Sequence, residues 1–148
     1  MAPDDVTVSV ARLADLDAAT LYRILQLRVD VFVVEQECVY PELDGRDLEP
    51  ATVQVWAARG GQVVATLRVL TEQDGSARIG RVATAASARG EGLAGRLMHA
   101  ALELAAGRDV ELHAQSHLAG WYETFGFEVS GPDYVEDGIP HTPMRLTR

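Results

Sequence analysis

The sequence predicts a mixed α/β fold: a mostly antiparallel sheet with one central parallel pair of strands, flanked by helices. Three observations predict it. Alternating apolar segments are joined by the tight-turn pairs Gly60-Gly61 and Asp74-Gly75. One strand–helix–strand stretch, residues 77 to 114, forms a crossover that makes its two strands parallel neighbours. A terminal segment then turns back on itself around Asp137-Gly138. At 148 residues the chain reads as one domain, residues 1–148, able to bury roughly 70% of the surface its unfolded form exposes.

Residues 6 to 10, VTVSV, alternate as a first strand. Asp15 and Asp17 offer N-caps for a helix carrying Leu21, Ile24, Leu25 and Arg28 at helical spacing. That helix is expected to run on and break at Tyr40-Pro41, with Phe32, Val33 and Val34 anchoring its end to the core. Residues 52–59 and 62–70 read as hairpin partners, and roughly 77–84 as the next strand. A long helix follows from about Gly92 to Ala106, with Leu93, Leu97, Ala101, Leu104 and Ala105 on one face and Gly107 closing it. Val110 to Ala114 is a short strand and 118–125 a helix ended by Gly126. Two more short strands occupy Glu128 to Leu146.

The chain is 47% hydrophobic and 24% charged, ordinary for a soluble globular protein, with a net charge of −9. An acidic balance argues against a nucleic-acid surface and mildly favours cationic small molecules. The single cysteine, Cys38, cannot form an internal disulfide, which favours a reducing compartment. MAPDDVTVSV lacks a basic region followed by an apolar core, and no uncharged run reaches the ~20 residues of a membrane span. A cytoplasmic protein without a membrane partner is expected.

The strongest chemical signal is Arg89-Gly90-Glu91-Gly92-Leu93-Ala94-Gly95-Arg96, at the mouth of the long helix. Unpaired N–H groups of a helix's first turn point outward, and the macrodipole adds partial positive charge there. Glycines let a phosphate approach that backbone, and Arg89 and Arg96 add full charges, so the segment reads as a pyrophosphate site. It satisfies G-x-G-x-x-G, and Glu111 lies about twenty residues on, as a dinucleotide site requires. The context disagrees, because residues 85–89 separate strand from glycine and only one crossover exists.

The pattern Arg89, Gly92, Ala94 resembles the acetyl-coenzyme A motif of GNAT-type N-acetyltransferases. The resemblance extends over most of the chain through Ile79 to Thr84 and the segment WYETFGF, residues 121–127. The segments LYRILQLRVDVFVVEQ, DGRD, IGRV and EDGIPH are similar to the ElaA-like branch of that superfamily. The resemblance implies the GNAT fold, its parallel pair splayed into a V near Val82 and Ala114, with acetyl-CoA as cosubstrate. It implies that Val82, Ala83 and Thr84 pair with the pantetheine arm. Arg89, Gly90, Glu91, Gly92, Leu93, Ala94, Gly95 and Arg96 would cradle the pyrophosphate. Gln115 stands where many members carry an asparagine that touches the arm.

Moving an acetyl group from a thioester to a primary amine needs a neutral amine, donors for the oxyanion, and a proton for the departing thiolate. The resemblance implies direct attack in a ternary complex, oxyanion donors around Val82 and Ala83, and Tyr122 as general acid. On spacing alone, Tyr122 reads first as a core aromatic beside Trp121, Phe125 and Phe127. The base is open: some GNAT enzymes place a glutamate near the start of the thioester strand, where Ser76 and Ala77 stand here. Glu35, Asp44, Asp47, Glu111, His113, His117 or a water chain remain candidates, with Glu35 taken as the catalytic choice.

Arg28, Phe32, Asp44, Asp47, His113 and His141 are the expected acceptor-binding residues, for a small-molecule or peptidyl amine. No metal is expected, since His113 and His117 lie on a strand-to-loop segment. Cys38 sits among carboxylates, which disfavour a nucleophilic thiolate. Two other readings stand. Arg28, Phe32, Asp44, Asp47 and Arg68 are spaced as in acyl-homoserine-lactone synthases, which share the fold, and the absent strand glutamate suits a non-catalytic acyl-CoA or amine-binding module. Monomer and homodimer are both compatible with the sequence.

Overall fold

The computed structural model describes residues 5–148; residues 1–4 lie outside it. Eight strands form a single sheet: β1 (Val6–Arg12), β2 (Val53–Arg59), β3 (Gln62–Thr71), β4 (Ala77–Thr84), β5 (Val110–Gln115), β6 (Glu128–Val129), β7 (Tyr134–Glu136) and β8 (Ile139–Leu146). Their spatial order is β1-β2-β3-β4-β5-β8-β6, with β7 also pairing β8. The α-helices among the described residues are α1 (Ala18–Val29), α2 (Leu93–Leu104) and α3 (Ala119–Glu123). The mixed, mostly antiparallel sheet expected from the sequence is the one observed.

Gly60 and Gly61, at φ 57° and 79°, form the two-residue turn that pairs Arg59 with Gln62. Such a turn needs positive φ at both centres, which glycine adopts without a Cβ penalty. The crossover through α2 makes β4 and β5 parallel, but they pair only at Ala77–Val110 and Arg78–Glu111. Pairing therefore ends nearer the base of the strands than the expected parting at Val82 and Ala114. α2 buries Leu93, Leu97, Met98 and Ala101 against one face, whereas Leu104 is exposed and leaves the predicted stripe. On the other face, Leu27 and Val31 pack on Ala83 with Phe32 beside them.

Asp17, not Asp15, caps α1: its carboxylate accepts from the Thr20 amide at 2.7 Å. After Val29 the helix widens into a π-helical segment, Asp30–Glu35, with five-residue bonds from Gln36 N–H to Val31 O and Cys38 N–H to Val33 O, both 3.2 Å. The helix stops before the expected break at Tyr40-Pro41, because Glu37 turns to φ 54°. The wider winding also changes the buried face. Val31 is buried while Val34 is 64% exposed, so Val34 does not anchor the segment.

Arg28, fully buried, lies at the centre of an ion network. Its Nε donates to Glu42 at 2.6 Å and its Nη1 to Asp47 at 2.8 Å. Arg68 donates to Asp44 at 2.6 Å and to Asp47 at 3.2 Å. Arg81 donates to Glu42 at 3.0 Å and lies 5.5 Å from the Tyr40 ring centroid. Gln54 adds a 2.7 Å bond to Asp47. Three guanidinium groups thus face three carboxylates, tying α1, the 38–48 loop, β3 and β4 together. A buried charge left without its partner costs several kcal/mol, so the network holds as a unit.

Two predictions follow from that balance. Arg28→Ala leaves Glu42 and Asp47 short of a partner and is expected to destabilise the chain by about 3–5 kcal/mol, read from urea unfolding. Hydrogen bonds from Arg68 hold the Asp44 carboxyl far below its usual range; at Asp47, burial pushes upward but the Arg28 bond and charge and the Gln54 bond outweigh it. Folded-state values below about 3.9 mean that the unfolded chain binds more protons, so this stabilisation is complete above about pH 5. It is lost as pH falls through about 3.9 toward the folded values, which urea midpoints at pH 7, 4 and 3 would show.

Candidate active site

The parallel pair opens beside a β-bulge. Thr66 pairs with Ala83 and Arg68 with Gly80, so Leu67 alone faces Arg81 and Val82. Arg81 takes φ 55°, a left-handed conformation that costs a non-glycine residue about 1–3 kcal/mol and is offset here by its bonds to Glu42. The bulge interrupts the β3–β4 ladder at the strand segment bordering the opening. Val82 packs toward the α2 side and Ala83 toward α1, so the backbone between them separates the two faces.

The glycine loop lies between β4 and α2. Gly90 and Gly92 take φ 82° and 74°, and a Cβ at either would meet nothing within 4 Å, so conformation rather than crowding requires glycine. Gly92 N-caps α2 with no side-chain hydrogen bond, which leaves first-turn amides of Leu93, Ala94 and Gly95 for another acceptor. Arg89 donates to the Thr84 carbonyl at 3.1 Å and to Glu35 at 2.7 Å. Glu91 pairs with Arg59 at the end of β2, while Arg96 is exposed. An uncapped helix start, two left-handed glycines and nearby arginines suit a phosphate-bearing cosubstrate.

Tyr122, 6% exposed, sits on α3 with its ring edge-on to Trp121 and Phe127. Its hydroxyl has no hydrogen-bond partner among the described residues. Burial pushes the phenol up to about 12, which keeps it protonated at neutral pH. The gap to a thiol near 8.5 becomes roughly 3.5 units, wider than for an exposed phenol.

A second constellation occupies the other strand of the opening. Gln115, at the end of β5, donates to Gln36 at 3.3 Å, and the Cys38 thiol lies 3.5 Å from the Asp137 carbonyl. The end of the π-helical segment therefore bridges to the far strand and to the β7–β8 turn. His113 Nδ1 lies 2.5 Å from the Tyr134 hydroxyl, whose ring stacks on His141 at 5.6 Å between centroids. His141 Nδ1 is 2.8 Å from the Ile139 carbonyl. Sequence reasoning named both histidines and missed Tyr134. Its signal was the Asp137-Gly138 turn, whose two-residue geometry sets Tyr134 opposite His141.

The remaining predicted residues have other surroundings. Arg28, Asp44 and Asp47 belong to the ion network and are bonded to one another or to Arg68. The buried guanidinium of Arg28 has its donors filled by Glu42 and Asp47, and Asp44 is paired with Arg68 at the edge of the network. Phe32 packs beside Ala83. Glu35 is turned to Arg89, whose hydrogen bond lowers its carboxyl below the usual range and makes it a weaker base. Glu111 is flanked by Arg78 at 3.5 Å and Arg145 at 3.3 Å. His117 and His99 are exposed, and Cys38 is buried.

A family model described as an acetyltransferase (GNAT) domain matches residues 26–148. The chain belongs to the GNAT acetyltransferase family. Among its relatives is a UPF0039 protein of Mycobacterium tuberculosis, 47% identical over 88% of this chain and 86% of that one. Protein ElaA of Escherichia coli is 39% identical over 88% of this chain and 90% of its own, and its crystal structure superposes with a TM-score of 0.91 over 96% and 99%. An acyl-CoA N-acyltransferase from Pseudomonas aeruginosa matches with a TM-score of 0.90 and 42% identity, over 96% of this chain and 99% of its own. These similarities put this GNAT chain in the ElaA-like branch.

Burial first, and then Arg78, lower the His113 pKa, against the opposing charges of Glu111 and Glu136. An NMR titration is expected to give His113 a midpoint below the ordinary ~6.5, leaving it neutral at pH 7. A midpoint above ~6.5 would mean that the carboxylates outweigh burial.

Proposed function

We propose that the protein transfers an acetyl group from acetyl-CoA to a primary amine by direct attack in a ternary complex. The observation that carries this reading is the uncapped start of α2 between left-handed glycines, adjoining a bulged strand whose parallel partner has parted from it. The amides of Leu93, Ala94 and Gly95 bind the pyrophosphate together with Arg89 and Arg96, along the Arg89–Arg96 loop. Val82, Ala83 and Thr84 align the pantetheine arm by backbone pairing, and Gln115 contacts it from β5. The Val82 and Ala83 amides donate to the oxyanion that develops on the thioester carbonyl.

Tyr122 serves the departing thiolate. At a pKa of about 12 its O–H hydrogen-bonds the growing negative charge on sulfur and yields its proton late, as C–S cleavage completes. Glu35 holds Arg89 until a phosphate replaces it. The acceptor enters from the α1 face, where Phe32, His113 and His141 lie.

A lactone-synthase-like reading gains no such support, because the charges that suggest it are bonded to one another. Isothermal titration should show acetyl-CoA binding that weakens in Arg89→Ala. No heat at millimolar acetyl-CoA would overturn the proposal. Tyr122→Phe, which keeps the buried ring, is expected to lower kcat about 10- to 100-fold in a thiol-release assay while leaving acetyl-CoA affinity within about twofold. An unchanged kcat would remove Tyr122 from the reaction, and robust turnover by the parent chain would exclude a non-catalytic binding module.

A further inference from the structure

We infer that His141 is the general base, taking the acceptor's ammonium proton at Nε2; the assignment rests on the acetyl-transfer reading above. The Ile139 carbonyl can only accept a hydrogen bond, so the ring nitrogen 2.8 Å from it, Nδ1, carries the proton. In the neutral ring the lone pair is then on Nε2, which has no hydrogen-bond partner among the described residues. The ring plane is held by stacking on Tyr134, interplanar angle 20°, and Tyr134 is held in turn by the 2.5 Å contact with His113. Two neighbours thus fix orientation and tautomer, as a proton acceptor requires.

Strand register places this ring at the height of the chemistry. β4 and β5 run parallel with Arg78 level with Glu111. Val82 and Gln115 each lie four residues beyond that pair, roughly 13 Å along their strands. His141 pairs with Gln115, on the arm of the opening away from β4. It therefore stands across the gap from the Val82–Ala83 backbone. The competing groups are committed elsewhere: Glu35 to Arg89, Asp44 and Asp47 to the ion network, and Glu111 to Arg78 and Arg145. His113 faces a hydroxyl that donates or accepts, so its tautomer is not fixed in the same way.

Tyr134 stacks on His141, Glu136 and Asp137 lie in the same β7–β8 hairpin, and His113 on β5 feels His141 together with Arg78, Glu111 and Glu136. From the α1 side come Glu35 and Glu37, which flank Gln36. Nε2 removes one proton from R–NH3+ and passes it to solvent. The amine lone pair attacks, forming the C–N bond, and collapse of the tetrahedral adduct breaks the C–S bond. Tyr122 gives its proton to the departing thiolate, and the second N–H proton lost from the adduct restores the Tyr122 hydroxyl, so one proton is released per turnover.

Two measurements test this. Long-range 1H–15N correlation spectra of the free protein should show neutral His141 in its Nδ1–H form; the Nε2–H form would overturn the assignment whatever the activity. The second is thiol release from acetyl-CoA with a panel of primary amines, comparing the parent chain with His141→Asn and His141→Gln. Asn keeps a donor for Ile139, and Gln keeps a polar group near the position of Nε2. Both should bind acetyl-CoA normally by titration and lose about 100-fold in kcat/KM for the amine at pH 7. The ascending limb of the parent's pH profile should be replaced by a rate that climbs with the fraction of neutral amine, with partial rescue by imidazole. Loss of rate with an unchanged pH profile, or no loss, would overturn the assignment alone. No turnover by the parent chain with any amine would overturn it together with the acetyl-transfer reading.

Discussion

The structure depends on one buried contact, the fork of Arg28 around Glu42 and Asp47. A guanidinium with no solvent exposure is tolerable only when every charge it brings inside is matched. Arg68 and Arg81 extend the matching to Asp44 and back to Glu42, and the loop from Cys38 to Leu48 is fastened by charge rather than by apolar weight. The apolar side chains of that loop confirm it: Val39 is 98% exposed, and Leu43 and Leu48 also face solvent. The same network reaches Arg81, the bulged residue of β4. The strain of the bulge and the charge pairing of the loop are thus mutually supporting, and the shape of the opening rests on both.

The opening itself has two unlike walls. One is β4, whose β5-facing edge is unpaired beyond Arg78 and leads into the uncapped start of α2. The other is β5 with β8 and β7, and it presents side chains: Gln115, His113, Tyr134 and His141. Backbone donors recognise a ligand common to a whole family, while side chains vary more freely from one relative to another. Membership of the GNAT family accounts for the first wall.

Much of this was legible in the sequence because it depends on local rules. Paired glycines fix hairpins, helical spacing fixes which face of α2 is buried, and a crossover fixes the parallel pair. Leu104 left the predicted α2 stripe although Ala101 and Ala105, on either side of it, are fully buried. For Arg28, Asp44 and Asp47 the pairing itself was not legible. A sequence shows that charges exist but not which are paired, and an unpaired charge near a cleft resembles a ligand contact. The stop at Glu37 and the π-helical winding before it carry no residue signature in the sequence. Tyr134 was recoverable, because a two-residue turn at Asp137-Gly138 dictates its partner.

The π-helical segment also sets a length. Each α-helical residue turns the chain by about 100°, so one residue more or fewer rotates everything downstream by more than a quarter turn. Between Asp30 and Glu35 the wider winding fixes the phase at which the chain leaves the helix. That phase aims Gln36 at Gln115 and Cys38 at Asp137. Residue count, rather than residue identity, is then the variable under constraint in this segment. Substitutions at its exposed positions such as Val34 leave the span intact, whereas a single deletion would swing both bridging side chains away from the far wall.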